Sequence, residues 1–158
     1  MKQLLLIFAV VVLVGCASTP KVVPISPEAK AAIEAATKDA IEDAIRKAAK
    51  KPTGELTQAD LEKVEQLELN FNQLTEFPKG LEKLTNLTNL QLIYNQLTSV
   101  AGLEKLTLLK TLYLARNQLI SVKGLEKLTQ LKELYLYNNK LTDVKGLEKL
   151  TQLENLVL

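Results

Sequence analysis

The chain has 158 residues, with 20 Lys and Arg against 18 Asp and Glu, one Cys and no His, for a formal charge of +2. Without His, and with a single Cys, neither a nucleophile–base pair nor a Cys/His metal cluster can be assembled, and nothing marks a Ser–Lys or carboxylate scheme. A balance this close to neutral gives no warrant for a nucleic-acid partner, so no catalytic residue, metal ligand or cofactor is expected.

The first element is "MKQLLLIFAVVVLVGC", with Lys2, an unbroken apolar run from Leu4 to Val14, then Gly15 and Cys16. Those 11 apolar residues fall short of the about 20 that a membrane-spanning helix needs. They predict a secretory signal over residues 1–15. The junction "LVGC" resembles the lipobox of bacterial lipoproteins. That resemblance implies cleavage before Cys16, acylation of Cys16 by palmitate-like chains, and a mature chain of about 143 residues held in a bacterial cell envelope. Ala17, where Asp would imply inner-membrane retention, implies the outer membrane in a diderm cell. Each buried methylene contributes about 0.8 kcal/mol, so a multiply acylated Cys anchors stably where one short chain would not. Residues 16–25 contain Pro20 and Pro24 and no helical period. They read as a tether, in which residues 17–25 beyond the anchor reach about 28 Å at about 3.1 Å per residue.

Ser26 and Pro27 have the character of an N-cap and a first helical residue, and an Ala-rich stretch then runs to Lys51 before Pro52 stops it. Ile33, Ala36, Ala40, Ile41, Ala44, Ile45 and Ala48 fall on one face of that helix. The face lacks the Trp, Phe and Leu that membrane-surface helices favour. Its predicted role, for residues 26–56, is to cap the first coil of the repeat domain that follows. "TQADLEKV" opens that domain with a Thr57-x-x-Asp60 helix start and sends Leu61 and Val64 into the first coil.

Residues 57–158 repeat. The phrase "GLEKLT" begins at Gly80, Gly102, Gly124 and Gly146, each 22 residues after the last. The intervening segments are "VEQLELNFNQL" from Val64, "LTNLQLIYNQL" from Leu87, "LKTLYLARNQL" from Leu109 and "LKELYLYNNKL" from Leu131, with an incomplete fifth copy, "LENLVL", from Leu153. Apolar residues hold positions 1, 4, 6 and 11, and Asn72, Asn95, Asn117 and Asn139 hold position 9. The Leu-x-Leu pairs Leu67/Leu69, Leu90/Leu92, Leu112/Leu114 and Leu134/Leu136 alternate as a strand with one buried face does. Buried Asn, with two donors and an acceptor, can bond the backbone groups that lose ladder partners where each strand ends and bridge adjacent coils. "GLEKLT" then belongs to the outer side, with Gly making the turn, Leu-x-x-Leu pointing inward from a short helical turn, and Glu and Lys facing water.

The pattern Leu-x-x-Leu-x-Leu-x-x-Asn-x-Leu over roughly residues 61–158 resembles the leucine-rich repeat family, and its 22-residue copies are most similar to those of bacterial internalins. The first copy departs from them, since "LTEFPKGL" has an extra residue and Pro78. The resemblance implies an α/β solenoid, with a parallel sheet on the concave face, short helical turns on the convex side and an N-terminal capping helix.

What varies between copies bears on function. Positions 3, 5, 7 and 8 are expected on the concave surface, which makes Glu68, Phe71, Gln91, Ile93, Tyr94, Tyr113, Arg116, Tyr135 and Tyr137 the candidate partner-binding residues. Tyr and Arg are favoured interface anchors, although tyrosines stacking along the sheet for packing alone is another reading of the same residues. There is no row of Lys or Arg such as a nucleic-acid groove requires. Five strands span about 20 to 24 Å, enough for a peptide segment, the edge of a small domain, or a glycan. The expected protein is a membrane-anchored lipoprotein that binds another protein through this face. The rivals are a structural envelope component and a glycan-binding adhesin. Leu153, Leu156 and Leu158 stand without a polar capping coil, so either the chain is a fragment or its last strand self-associates with another copy.

Overall fold

The computed structural model describes residues 27–158. The signal segment, Cys16, the tether and the Ser26 cap lie outside the described residues, as do the side chains of Ile33 and Ala36.

Helix α1 spans Pro27–Ala48. Of the expected capping face, Ile41, Ala44, Ile45 and Ala48 pack half-buried against the core of the repeats, while Ala40 is half-buried outside that cluster, so the C-terminal half of the helix covers the first coil. It stops before the expected Lys51. Lys50 adopts φ 54°, the Lys51 N–H reaches the Arg46 carbonyl (2.9 Å) and the Lys50 N–H reaches that of Lys47 (3.2 Å). This paired left-handed closure satisfies two terminal carbonyls and ends the helix ahead of Pro52.

Helix α2, Gln58–Leu61, begins at the expected Thr57 with both halves of a capping box in place. Asp60 is buried beneath it, and its carboxylate accepts from the Thr57 N–H (3.0 Å), the Thr57 hydroxyl (2.6 Å), Lys51 Nζ (2.6 Å) and Lys63 Nζ (3.1 Å). Lys51 foremost, then Thr57, hold this carboxyl far below its ordinary value of 3.8. A depressed acid stabilises the fold above its unfolded pKa and loses that contribution as pH falls through the folded value. The melting temperature of the wild type should therefore decline as pH is lowered from 6 towards 3. Asp60→Asn should melt lower at pH 6 and decline less steeply, whereas parallel curves for the two proteins would show that this cluster contributes nothing to acid sensitivity.

The repeats form one parallel sheet in sequence order: β1 Gln66–Glu68, β2 Asn89–Gln91, β3 Thr111–Tyr113, β4 Glu133–Tyr135 and β5 Asn155–Val157. The register aligns Leu67, Leu90, Leu112, Leu134 and Leu156. The first four leucines are buried, and with Leu69, Leu92, Leu114 and Leu136 they form the inner row of one continuous core. Burial fades at β5, where Leu156 is 41% exposed. Among the described residues no helix is long and apolar enough to cross a membrane.

Opposite the sheet lie the 3-10 turns Leu81–Lys83, Leu103–Lys105, Leu125–Lys127 and Leu147–Lys149, each opened by a glycine with φ between 96° and 112°. The expected Leu-x-x-Leu burial holds at Leu81/Leu84, Leu103/Leu106, Leu125/Leu128 and Leu147/Leu150. The glutamates differ from expectation. Rather than simply facing water, Glu82, Glu104, Glu126 and Glu148 fold back to accept the N–H of Gly80, Gly102, Gly124 and Gly146 at 2.5–2.7 Å. The phrase thus satisfies its own turn donor. Hydrogen bonds from their own backbone N–H, and then from the glycine, keep Glu82, Glu104 and Glu126 below the usual carboxylate value, aided by the lysine of the next coil.

The position 9 asparagines join the coils, with Asn95 and Asn117 buried as expected and Asn139 only half-buried. Asn95 Oδ1 accepts the N–H of Asn72 (3.1 Å) and Leu74 (3.0 Å), while its Nδ2 donates to the carbonyls of Leu69 (2.8 Å) and Leu92 (3.0 Å). Asn117 and Asn139 repeat the motif one coil further each time, accepting from Leu97 and Leu119 and donating to Leu92 and Leu114 behind them. These bonds fix the rise from coil to coil, and hence the spacing of every side chain on the sheet's other face.

Candidate binding face

Alternation along β1–β5 turns positions 3 and 5 away from the core. The position 5 register runs Glu68, Gln91, Tyr113, Tyr135, Val157. Tyr113 and Tyr135 stack with ring centroids 4.6 Å apart and planes 9° from parallel. Desolvation, with Tyr135 and Glu133 alongside, raises the Tyr113 hydroxyl above its ordinary pKa, so this ring is a neutral phenol at physiological pH. Asn155 Nδ2 donates to the Tyr135 hydroxyl at 3.0 Å, extending the row to the last strand.

The face is amide-lined at its other end. Asn70, which did not stand out in the sequence, donates through Nδ2 to Glu68 (3.2 Å) and Gln91 (3.0 Å), and its Oδ1 accepts the Ile93 N–H at 2.7 Å. Glu68 and Gln91 are therefore brought together by a residue that replaces the Ile93, Ala115 and Tyr137 of later copies. Position 7 is less open than expected. Ile93 and Tyr137 are half-buried and Ala115 is fully buried.

Position 8 departs further. Phe71, Tyr94, Arg116 and Asn138 all have φ of 56–61°, a left-handed backbone. The reason is one of parity. Inward residues sit at even positions 4 and 6 but at odd positions 9 and 11, so one residue between 6 and 9 must leave the extended conformation. Position 8 does so after its N–H has bonded the next coil, as in Arg116 N–H to the Tyr137 carbonyl at 2.9 Å. The geometry costs a bulky L-residue about 1 kcal/mol. Beyond the strand ends it also builds a second row: Phe71 stacks on Tyr94 with centroids 4.7 Å apart, and the Arg116 guanidinium lies 4.8 Å over the Tyr94 ring.

The nine candidate residues thus comprise an amide and carboxylate group at Glu68 and Gln91, the Tyr113–Tyr135 stack, the Phe71–Tyr94–Arg116 row, and the half-buried position 7 residues Ile93 and Tyr137. Beside the first group an open groove runs between α1 and β1, edged by Lys47, Lys50 and Lys63. Among the described residues no group of His, Cys, Asp or Glu could hold a metal ion. Such a face can offer aromatic area, amide hydrogen bonds, the Glu68 carboxylate and one cation over a ring.

The model for Leucine Rich repeats (2 copies) matches residues 85–127, 107–149 and 129–158. Among solved structures, the internalin inlF of Listeria monocytogenes is 33% identical, with a TM-score of 0.68 over 73% of this chain and 34% of its own. The internalin inlC2 of the same organism is 30% identical, with a TM-score of 0.58 over 74% and 62%. A leucine-rich repeat protein of Leptospira interrogans is 35% identical, with a TM-score of 0.58 over 63% and 26%. The chain spans less than two thirds of each of these relatives. No curated protein matches it. The fold is therefore a leucine-rich repeat solenoid of the kind seen in internalin structures, and neither the family model nor these structures indicates an enzyme.

Proposed function

We propose that the chain is a membrane-anchored lipoprotein whose solenoid binds another protein through its concave face, without catalysis. The observation that carries the binding assignment is the contrast between positions. The core and turn positions repeat with little change, while the variable positions hold two rows, the Tyr113–Tyr135 stack on the strands and Phe71–Tyr94–Arg116 just beyond their ends. Aromatic residues and Arg supply large contact area with a polar handle at modest entropic cost, which is why they anchor interfaces.

The partner should be recovered from envelope extracts on the wild-type domain and its affinity measured for two variants. Tyr113→Ser with Tyr135→Ser removes the stack but leaves the inward leucines, and should weaken binding by at least about tenfold. Lys105→Gln, Lys127→Gln and Lys149→Gln alter exposed residues of the turns opposite the sheet and should change affinity less than about twofold. The glutamates of that phrase are unsuitable controls, because they hold the turn amides. Loss of binding in the lysine variant alone would move the interface to the convex side.

Anchoring rests on the "LVGC" junction after the apolar run. Cys16→Ser should shift the full-length product from the detergent phase to the aqueous phase, or leave it as an uncleaved precursor. Unchanged partitioning and processing would rule out acylation at Cys16. Ala17 after the anchor favours the outer membrane in a diderm cell.

A further inference from the structure

A left-handed backbone is readily adopted by Gly and Asn and resisted by bulky side chains. The fourth copy obeys this preference, with Asn138 at position 8 and φ 56°. The first three copies do not. They carry Phe71, Tyr94 and Arg116 in the same conformation, and Phe71 is 69% and Tyr94 45% exposed. Burial cannot account for aromatic rings this open, since a coil that needed only its turn would be better served by Asn. The disfavoured residues make one continuous feature, in which ring stacks on ring and guanidinium on ring at coil spacing, 4.7 and 4.8 Å. Backbone strain kept where it displays a side chain marks a place where the side chain is used.

Arg116 indicates for what. The central carbon of its guanidinium lies 4.8 Å over the Tyr94 ring, and its side-chain N–H groups bond no other described residue. A planar guanidinium held in that way is matched to a carboxylate, which it meets through two parallel hydrogen bonds. The row contains one cation and no Lys, which suits a single carboxylate better than a phosphate dianion. Phe71 and Tyr94 continue the row as an apolar shelf. We propose that the Phe71–Tyr94–Arg116 row receives an extended acidic peptide segment of the partner protein, with an Asp or Glu carboxylate on Arg116 and a neighbouring apolar side chain on the aromatic pair. The proposal rests on the concave-face assignment above and names the chemistry of its partner.

The test uses the full chain, immobilised and panned with a random dodecapeptide display library, followed by calorimetry on the best synthetic peptide. Selected peptides should be enriched in Asp or Glu next to an aromatic or aliphatic residue. Arg116→Gln should weaken the peptide by at least about tenfold, and replacing its acidic residue by the amide should cost the same, with no further loss when the two changes are combined. Arg116→Lys should recover only part of the affinity, because the charge returns without the fork. The variant Phe71→Asn, Tyr94→Asn, Arg116→Asn should abolish measurable binding while melting no lower than the wild type, which separates recognition from folding. Peptides free of carboxylates, a loss below about twofold in Arg116→Gln, a preference for phosphopeptides or glycans, or no enrichment over bare support would each overturn the proposal. A peptide that loses affinity with Tyr113→Ser and Tyr135→Ser but not with Arg116→Gln would overturn this row and leave the concave-face assignment standing.

Discussion

Asn95→Leu is expected to cost the domain about 2–4 kcal/mol and Asn117→Leu only about 1–2 kcal/mol, although both occupy position 9 and both are 7% exposed. The difference comes from which backbone groups keep a second partner. The carbonyl of Leu92 is reached by Asn95 and Asn117, and that of Leu114 by Asn117 and Asn139. Removing Asn117 leaves each with a remaining donor and orphans chiefly the Leu97 N–H. Removing Asn95 orphans the N–H groups of Asn72 and Leu74 together with the Leu69 carbonyl, because Asn72 directs its own Nδ2 to the Asn70 carbonyl at 3.0 Å instead. Asn72 is half-buried, so water recovers part of that loss. Urea denaturation followed by circular dichroism should place the midpoint of Asn95→Leu well below that of Asn117→Leu. Equal midpoints would mean that the shared carbonyls do not buffer the ladder as described.

Gly102→Ala should be the costliest of the glycine substitutions in the turns. Gly102 and Gly80 have nearly the same backbone, with φ 98° and 96°, a region that costs an L-residue about 1–2 kcal/mol. A Cβ on Gly80 would meet nothing within 4 Å, whereas one on Gly102 would stand 2.6 Å from Cδ1 of Phe77. Phe77 is half-buried and packed on the core, so the contact adds about 1–3 kcal/mol of overpacking. The gap between the two variants should therefore be about 1–3 kcal/mol, and a double-mutant cycle with Phe77→Leu should recover much of it. The ring responsible belongs to "LTEFPKGL", the irregular first copy, where Val100 and Val122 stand in later copies. Equal losses at Gly80 and Gly102 would show that the ring moves aside freely.

What was legible in the sequence is what every copy has to solve in the same way. Leu90, Leu112 and Leu134 recur because each coil buries the same face, and Asn95, Asn117 and Asn139 recur because each coil leaves the same backbone groups to satisfy, so their spacing disclosed both strand and ladder. Thr57 and Asp60 disclosed a cap because capping is local. Glu104 was harder to place: a carboxylate beside Lys105 on an outer face is sufficiently explained by water, and its reach back to the Gly102 amide depends on a backbone turn that residue type alone does not reveal. The left-handed turn at Tyr94 and Arg116 was signalled by the shift of inward residues from even to odd positions, but treating positions 7 and 8 alike as outward hid it. The Asn70 bridge to Glu68 and Gln91 left no periodic trace, because position 7 differs in every copy. Repetition reveals packing readily; a binding face has to be built from the residues that do not repeat.

Hydroxyl-radical footprinting of the domain alone and bound to the partner it recovers from envelope extracts tests concave-face binding most directly. It reads side-chain protection residue by residue in the unmodified protein. The account predicts protection of Phe71, Tyr94, Tyr113 and Tyr135 on complex formation, with Leu108 and Ile120, which are 46% and 59% exposed and lie outside the strands and the position 8 row, labelled as before. Protection of Leu108 and Ile120 with the four aromatic residues unchanged would contradict it.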